Sequence, residues 1–219
     1  MTHLCKRDRE FPQNIVTSLY FDTPDLDQFQ KSDDGHYERE KIRIRWYDDS
    51  VVEGGLIPVY LELKRKRGYL CSKQRKRLLV PQERLSGIQG SDTIINRNVI
   101  QETLAEFGYY PDGPLMTIIL VTYKRIRFKE ILTGARLSFD WGISSSLTAP
   151  WLGFGEGSLM LEGGIIELKD PSMAIPASLR SLRSLSTDWS KFSKYAFCLE
   201  SQIERPGSFG RSWPSGRAQ

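Results

Sequence analysis

Apolar and charged positions alternate strictly along much of the chain, most clearly over residues 40–47. There Lys41, Arg43, Arg45 and Tyr47 share one parity, and Ile42, Ile44 and Trp46 share the other. Successive side chains of a strand point to opposite faces, so this stretch predicts a strand with one cationic and one apolar face. The pattern recurs. Residues 59–67 set Glu62, Lys64 and Lys66 against Leu61 and Leu63, and residues 120–129 set Tyr123, Arg125, Arg127 and Lys129 against Ile126 and Phe128. Residues 135–141 set Arg136, Ser138 and Asp140 against Leu137, Phe139 and Trp141, and residues 165–169 put Glu167 and Lys169 on one face. Residues 15–21, rich in β-branched and aromatic side chains, and the basic run 70–80 predict two further strands.

Between the strands the period changes. Ile95, Val99, Ile100, Leu104 and Phe107 recur at near-helical spacing and predict a helix over residues 92–107, ending at Gly108. Shorter helices are predicted over 25–31, 81–88, 176–185 and 189–202, and in the last of these Lys191 and Lys194 share a face. Residues 1–14 and the Gly/Ser/Pro/Arg-rich tail 205–219 are expected to be poorly ordered. A single α+β domain over 15–204 is therefore expected: an antiparallel sheet with flanking helices.

Charge then changes the picture. The net charge is only +4, from 31 Lys and Arg against 27 Asp and Glu, but residues 64–77 carry eight cations and no acid. Like charges facing each other on neighbouring strands destabilise the pair, so a sheet face bearing Arg43, Arg45, Lys64, Arg125 and Arg136 calls for a polyanion. Guanidinium forks and lysine ammonium groups both suit phosphoryl oxygens. Glu62 and Glu167 sit on the same parity, and each reads either as half of an ion pair with a neighbouring arginine, the default, or as a ligand for Mg²⁺ or Mn²⁺. The cysteines, Cys5, Cys71 and Cys198, are odd in number and widely spaced, so no disulfide framework is implied. Two histidines leave little room for His-based catalysis or zinc. No apolar run is long enough for a transmembrane segment, which makes a reducing cytoplasm the default location. The basic run 64–77 holds one aromatic residue, Tyr69, so no specific nucleic acid partner is expected. The oligomeric state is open.

The segments SLYFDTPDLDQF, KIRIRWY, YLELKRKR, TYKRIRF, ARLSFD, IIELK and KFSKY, in this order, resemble the polyphosphate polymerase domain of the vacuolar transporter chaperone (VTC) family, within the triphosphate tunnel metalloenzymes (CYTH-like). The resemblance covers residues 15–200. It implies an antiparallel β-barrel tunnel with helices outside, ATP and polyphosphate as ligands, and Mn²⁺ or Mg²⁺ as cofactor. The implied chemistry is transfer of the ATP γ-phosphoryl to a polyphosphate chain. Arg43, Arg45, Lys64, Arg125, Arg136, Lys191 and Lys194 would hold phosphates, with Ser193, Glu62 and Lys169 beside them and Glu167 on the metal. The family also carries a strand with a tunnel lysine and a helix ahead of YFDT. Residues 1–14 show neither, so a tunnel truncated or open on one side is expected, in a stand-alone soluble form. Hydrolysis of tripolyphosphate or a nucleoside triphosphate, and polyphosphate binding without catalysis, are the alternatives on the same tunnel.

Overall fold

The alternating segments pair into one eight-stranded antiparallel sheet, seen in a computed structural model that describes residues 3–11, 13–48, 53–85, 94–152, 157–169, 175–184 and 192–203. The strands are β1 (Cys5–Arg7), β2 (Gln13–Asp22), β3 (Glu38–Tyr47), β4 (Leu56–Arg67), β5 (Leu70–Pro81), β6 (Met116–Glu130), β7 (Arg136–Leu147) and β8 (Leu159–Lys169). Three α-helices accompany them: α1 (Asp27–Asp33), α2 (Arg97–Glu106) and α3 (Lys194–Ile203). The sheet runs β5-β4-β3-β2-β6-β7-β8, with β1 on β6. This is the α+β antiparallel sheet that the sequence predicts. Among the described residues its edges, β5 and β8, are not hydrogen-bonded to each other, so the tunnel is an open trough.

The apolar parity forms the outer wall. Ile42 and Ile44 of β3 join Leu61 and Leu63 of β4, and α2 covers them with Ile100 and Leu104, all buried. Asn96 caps α2 by accepting from the Asn98 amide at 2.9 Å, and Gly108 at φ +65° turns the chain out of the helix. On the other half of the wall, Leu179 and Leu182 cover Cys5 and Leu137. Burial of this kind contributes roughly 25 cal/mol per Å² of apolar surface, which makes the wall the main source of stability.

The cationic face is partly covered by α3, whose Tyr195, Cys198 and Leu199 pack on Val16, Tyr20, Val121 and Tyr123. The buried Asp22 carboxylate holds this cover to the sheet. It accepts from the amides of Thr23, Gln28 and Phe29 at 2.8–2.9 Å, capping the first turn of α1, and from the Tyr195 hydroxyl at 2.6 Å.

Several local expectations change. Residues 5–7, expected to be poorly ordered, pair with Phe128–Glu130, because Cys5 finds a buried place against Leu137 and Leu179. At position 81, where a helix is expected, β5 continues to Pro81 and a 3-10 turn follows at Gln82–Leu85. The segment expected as a helix over 176–185 is a 3-10 helix, Ala177–Ser184. The long helix predicted over 92–107 begins at Arg97, where Asn96 supplies the cap, and the one over 189–202 begins at Lys194, after Ser193. The predicted tail 205–219, the end of the 81–88 helix and Lys191 lie outside the described residues.

Candidate functional site: a cationic trough

Register decides which charges meet across the trough. Near one end Lys41 of β3 lies opposite Lys64 of β4, which lies opposite Lys73 of β5. At the other end Lys6 of β1, Lys129 of β6, Arg136 of β7 and Lys169 of β8 form one continuous rung. Paired residues of a sheet share a face, so each rung stacks cations side by side, an arrangement that costs stability unless an anion lies across it.

Between the two rungs the charges are interleaved with acids. Glu62, 2% exposed, receives the Arg43 Nε and Nη2 on Oε2 at 2.8 and 2.7 Å, and the Lys73 ammonium on Oε1 at 2.6 Å. Burial alone would raise the Glu62 pKa, but Arg43, Arg45 and Lys73 outweigh it and hold the carboxyl at about 2. On the far side, Arg125 grips the fully buried Asp140 with Nε at 2.6 Å and Nη2 at 2.7 Å. Lys194 reaches the same carboxylate from the start of α3 at 2.7 Å and lies 4.9 Å from the Tyr123 ring centre.

Arg45 differs from Arg43 and Arg125. Its Nε donates to the Ser18 hydroxyl at 3.0 Å and its Nη2 to the Tyr123 hydroxyl at 3.2 Å, so neutral groups orient it and its charge is uncompensated by these contacts. Lys41 donates to the Ser193 hydroxyl at 2.7 Å, and Ser193 in turn accepts from the Ala196 amide at 3.2 Å, capping α3. Burial, reinforced by Lys64, Arg39, Arg43 and Lys66, pushes the Lys41 pKa down to about 8. A lysine held this far below its ordinary range marks a place where positive potential is already in excess.

Among the described residues no three His, Cys, Asp or Glu side chains cluster closely enough to make an all-protein metal site. Mg²⁺ and Mn²⁺ at phosphates need less, commonly one or two carboxylates with the remaining oxygens from phosphate and water. Of the trough carboxylates, Glu62 and Asp140 are fully engaged, whereas Glu167 makes only long contacts, 3.1 Å to Arg125 and 3.3 Å to Lys169, and keeps 38% of its side chain exposed. Burial would raise its pKa, but Lys169, Arg125 and Lys194 hold it at about 2, so it is ionised at neutral pH. Glu167 fits a metal held jointly with phosphate oxygens.

Arg43, Arg45, Glu62, Lys64, Arg125, Arg136, Glu167 and Lys169 thus lie on one face, and Ser193 and Lys194 reach it from α3. Lys41 and Lys129 stand on the alternating cationic parity and Lys73 lies in the basic run 64–77, but none of the three is among the site residues that the sequence predicts. Lys6 was missed, because a three-residue strand is too short to show a period. Glu62 pairs with Arg43 and Glu167 with Arg125, the ion pair expected by default of each.

Residues 3–203 match the family model for the VTC domain. No curated protein matches the chain. Among solved structures, the chain is similar to a crystal structure described as that of a putative adenylate cyclase from Bacillus halodurans, at 16% identity and a TM-score of 0.38. The match covers 64% of this chain and 62% of that one, so this chain spans less than two thirds of that structure's length.

Proposed function

The chain belongs to the VTC domain family, and from that premise we propose that it is a metal-assisted phosphotransferase that moves the γ-phosphoryl of ATP onto a polyphosphate chain lying in the trough. The observation that carries this reading is the pair of cation rungs, Lys41–Lys64–Lys73 and Lys6–Lys129–Arg136–Lys169, at opposite ends of one face, with Arg45 between them. A single triphosphate is too short to lie across both rungs, whereas a phosphate chain can answer each of them with negative charge.

Phosphoryl transfer asks little covalent chemistry of a protein and much positioning. A terminal oxygen of the chain attacks the γ-phosphorus, the bond from that phosphorus to the β–γ bridging oxygen breaks, and ADP leaves with that oxygen's charge. Arg45, fixed by Ser18 and Tyr123, is preorganised to stabilise charge on the transferring group. Arg125 and Lys194, locked to Asp140, present their remaining donors from one wall, and Arg43, locked to Glu62, presents its own from the other. Lys41 and Lys64 bind chain phosphates. Glu167 would hold Mn²⁺ or Mg²⁺, which when bound neutralises phosphate charge and fixes its orientation. The three cysteines are free, and among the described residues no helix is long and apolar enough to cross a membrane.

The test is incubation with ATP and Mn²⁺ or Mg²⁺, with products separated by size. Long chains with equivalent ADP are expected, and Arg45→Met should lower the rate by about 10- to 1,000-fold. Free phosphate without chains would replace the reading with hydrolysis, and tight polyphosphate binding without either product would reduce the protein to a binding module.

A further inference from the structure

The tip of the β4–β5 hairpin carries charge and apolar surface beyond what the trough uses. Both strands are twelve residues long, and they meet at a two-residue turn, Gly68-Tyr69, with Gly68 at φ +57°. The turn is braced by the residue that precedes β3, where the Gly68 amide donates to the Tyr37 carbonyl at 2.8 Å. A Cβ at Gly68 would stand 2.6 Å from the Tyr37 ring, so the close approach and the positive φ both favour glycine there, and the Tyr37 ring lies against the tip. Three large side chains then face solvent together: Tyr69 is 93% exposed, Leu70 76% and Tyr37 68%. Among the described residues nothing covers them.

A collar of cations surrounds this tip. Lys66 and Arg67 precede the turn, and Arg39 lies opposite Lys66, whereas Arg65 is turned onto the Phe107 carbonyl and Gln74, both at 2.7 Å. Of the nearby acids, Glu38 pairs with Arg67 at 2.7 Å, Asp34 lies 3.5 Å from His36, and Glu40 lies opposite Arg65 in the ladder. Tyrosine and leucine at a protruding tip, ringed by lysine and arginine, match the two layers of an anionic bilayer surface, apolar beneath and negatively charged at the headgroups. A nucleic acid would engage the cations but leave Leu70 exposed, and a protein partner would have no need of so extended a basic collar.

We propose that the β4–β5 hairpin tip is a membrane-docking element, which inserts Tyr69 and Leu70, supported by Tyr37, into the interfacial layer of an anionic lipid bilayer while Arg39, Lys66 and Arg67 meet the headgroups. The docking is peripheral. It stands apart from the phosphoryl-transfer reading, because the residues it needs are at the hairpin end and not in the walls around Arg45.

The experiment is co-sedimentation of the full chain with vesicles of phosphatidylcholine alone and of phosphatidylcholine with phosphatidylserine, at low and high salt. Binding is expected to need phosphatidylserine and to weaken with salt, each basic residue at the surface contributing roughly 5-fold. The double variant Tyr69→Ser/Leu70→Ser alters only exposed positions, so it should fold as the parent does, checked by circular dichroism, and should bind at least about tenfold more weakly. Arg45→Met should bind vesicles like the parent while losing polyphosphate affinity. A second readout uses the native thiols: Cys71, beside Leu70, is exposed, whereas Cys5 and Cys198 are buried, so an environment-sensitive dye attached at Cys71 should shift to the blue on phosphatidylserine vesicles. Absence of phosphatidylserine-dependent binding overturns the proposal. Unchanged binding by Tyr69→Ser/Leu70→Ser also does, and if Arg45→Met then loses it, the headgroups are being held in the trough. An RNA oligomer bound through Tyr69 and Leu70 by a chain that ignores vesicles would assign the tip to nucleic acid instead.

Discussion

Raising the pH from about 7 to about 9 should weaken polyphosphate binding chiefly through Lys41, on a rung where burial also lowers the pKa of Lys73. Its pKa in the unliganded fold is about 8, lowered from 10.5 by burial and by Lys64, Arg39, Arg43 and Lys66. A phosphate chain across the Lys41–Lys64–Lys73 rung supplies the missing counter-charge and so favours the ammonium form. Lys41 is roughly nine-tenths charged at about pH 7 and roughly one-tenth charged at about pH 9, so binding at the higher pH must include uptake of a proton. The affinity should fall by about tenfold across that interval on this account alone. Long-chain polyphosphate is the right probe, because its internal phosphates keep their charge throughout the range. Titration calorimetry in two buffers of different ionisation enthalpy would count the protons taken up, and Lys41→Met should abolish the step. The stability of the unliganded protein should move the other way. A lysine whose folded pKa is lowered carries the full cost of its charge below about pH 8, and that cost is relieved as pH rises from about 8 towards 10.5. If Lys41→Met kept the parent's pH dependence, or if no proton were taken up near pH 9, the electrostatic account of this end of the trough would fail.

Three further outcomes test the two halves of the sheet separately. Glu62→Gln leaves Arg43 and Lys73 without the buried carboxylate between them and should cost about 3 kcal/mol in urea denaturation, partly restored by polyphosphate; because Glu62 contributes stability that is present above about pH 4.5 and lost as pH falls towards its folded value of about 2, the variant should also lack that acid limb. Lys6→Ala combined with Lys129→Ala relieves repulsion in the four-cation rung, so thermal denaturation should show a stability equal to or up to about 1 kcal/mol above the parent, while polyphosphate affinity falls. Leu104→Ala, in the outer wall and fully buried, should cost about 3 kcal/mol in chemical denaturation yet leave the turnover of the folded fraction unchanged, since nothing in the trough touches it.

The sheet and its cationic face were legible because both rest on the same local rule. Alternation at Ile42, Ile44 and Trp46 marks the buried side of β3, and the parity left over collects Lys41, Arg43 and Arg45 on the other. What alternation cannot reveal is register, and register assigns partners. Nothing local to Arg43, Arg45 or Arg125 says that the first would be locked by Glu62, the third by Asp140, and the second held only by hydroxyls of Ser18 and Tyr123. Those assignments come from pairings between residues as far apart as Arg45 and Tyr123, and they separate cations that are already compensated from cations that are not. Lys41 shows the same limit from the other direction. Its depressed pKa arises because β4 sets Lys64 directly opposite and α3 brings Ser193 over it, two events remote in sequence that remove water from one ammonium group. Lys6 was hidden for a different reason. β1 is fixed by a single buried side chain, Cys5, against Leu137, Leu179 and Leu182, and a three-residue strand has no period to read. The two rungs that argue most strongly for a long polyanion are therefore half visible: most of their members lie on the cationic parity, but only the pairing of β4 with β3 and β5, of β6 with β1 and β7, and of β7 with β8 turns scattered lysines into rows that an extended phosphate chain can neutralise.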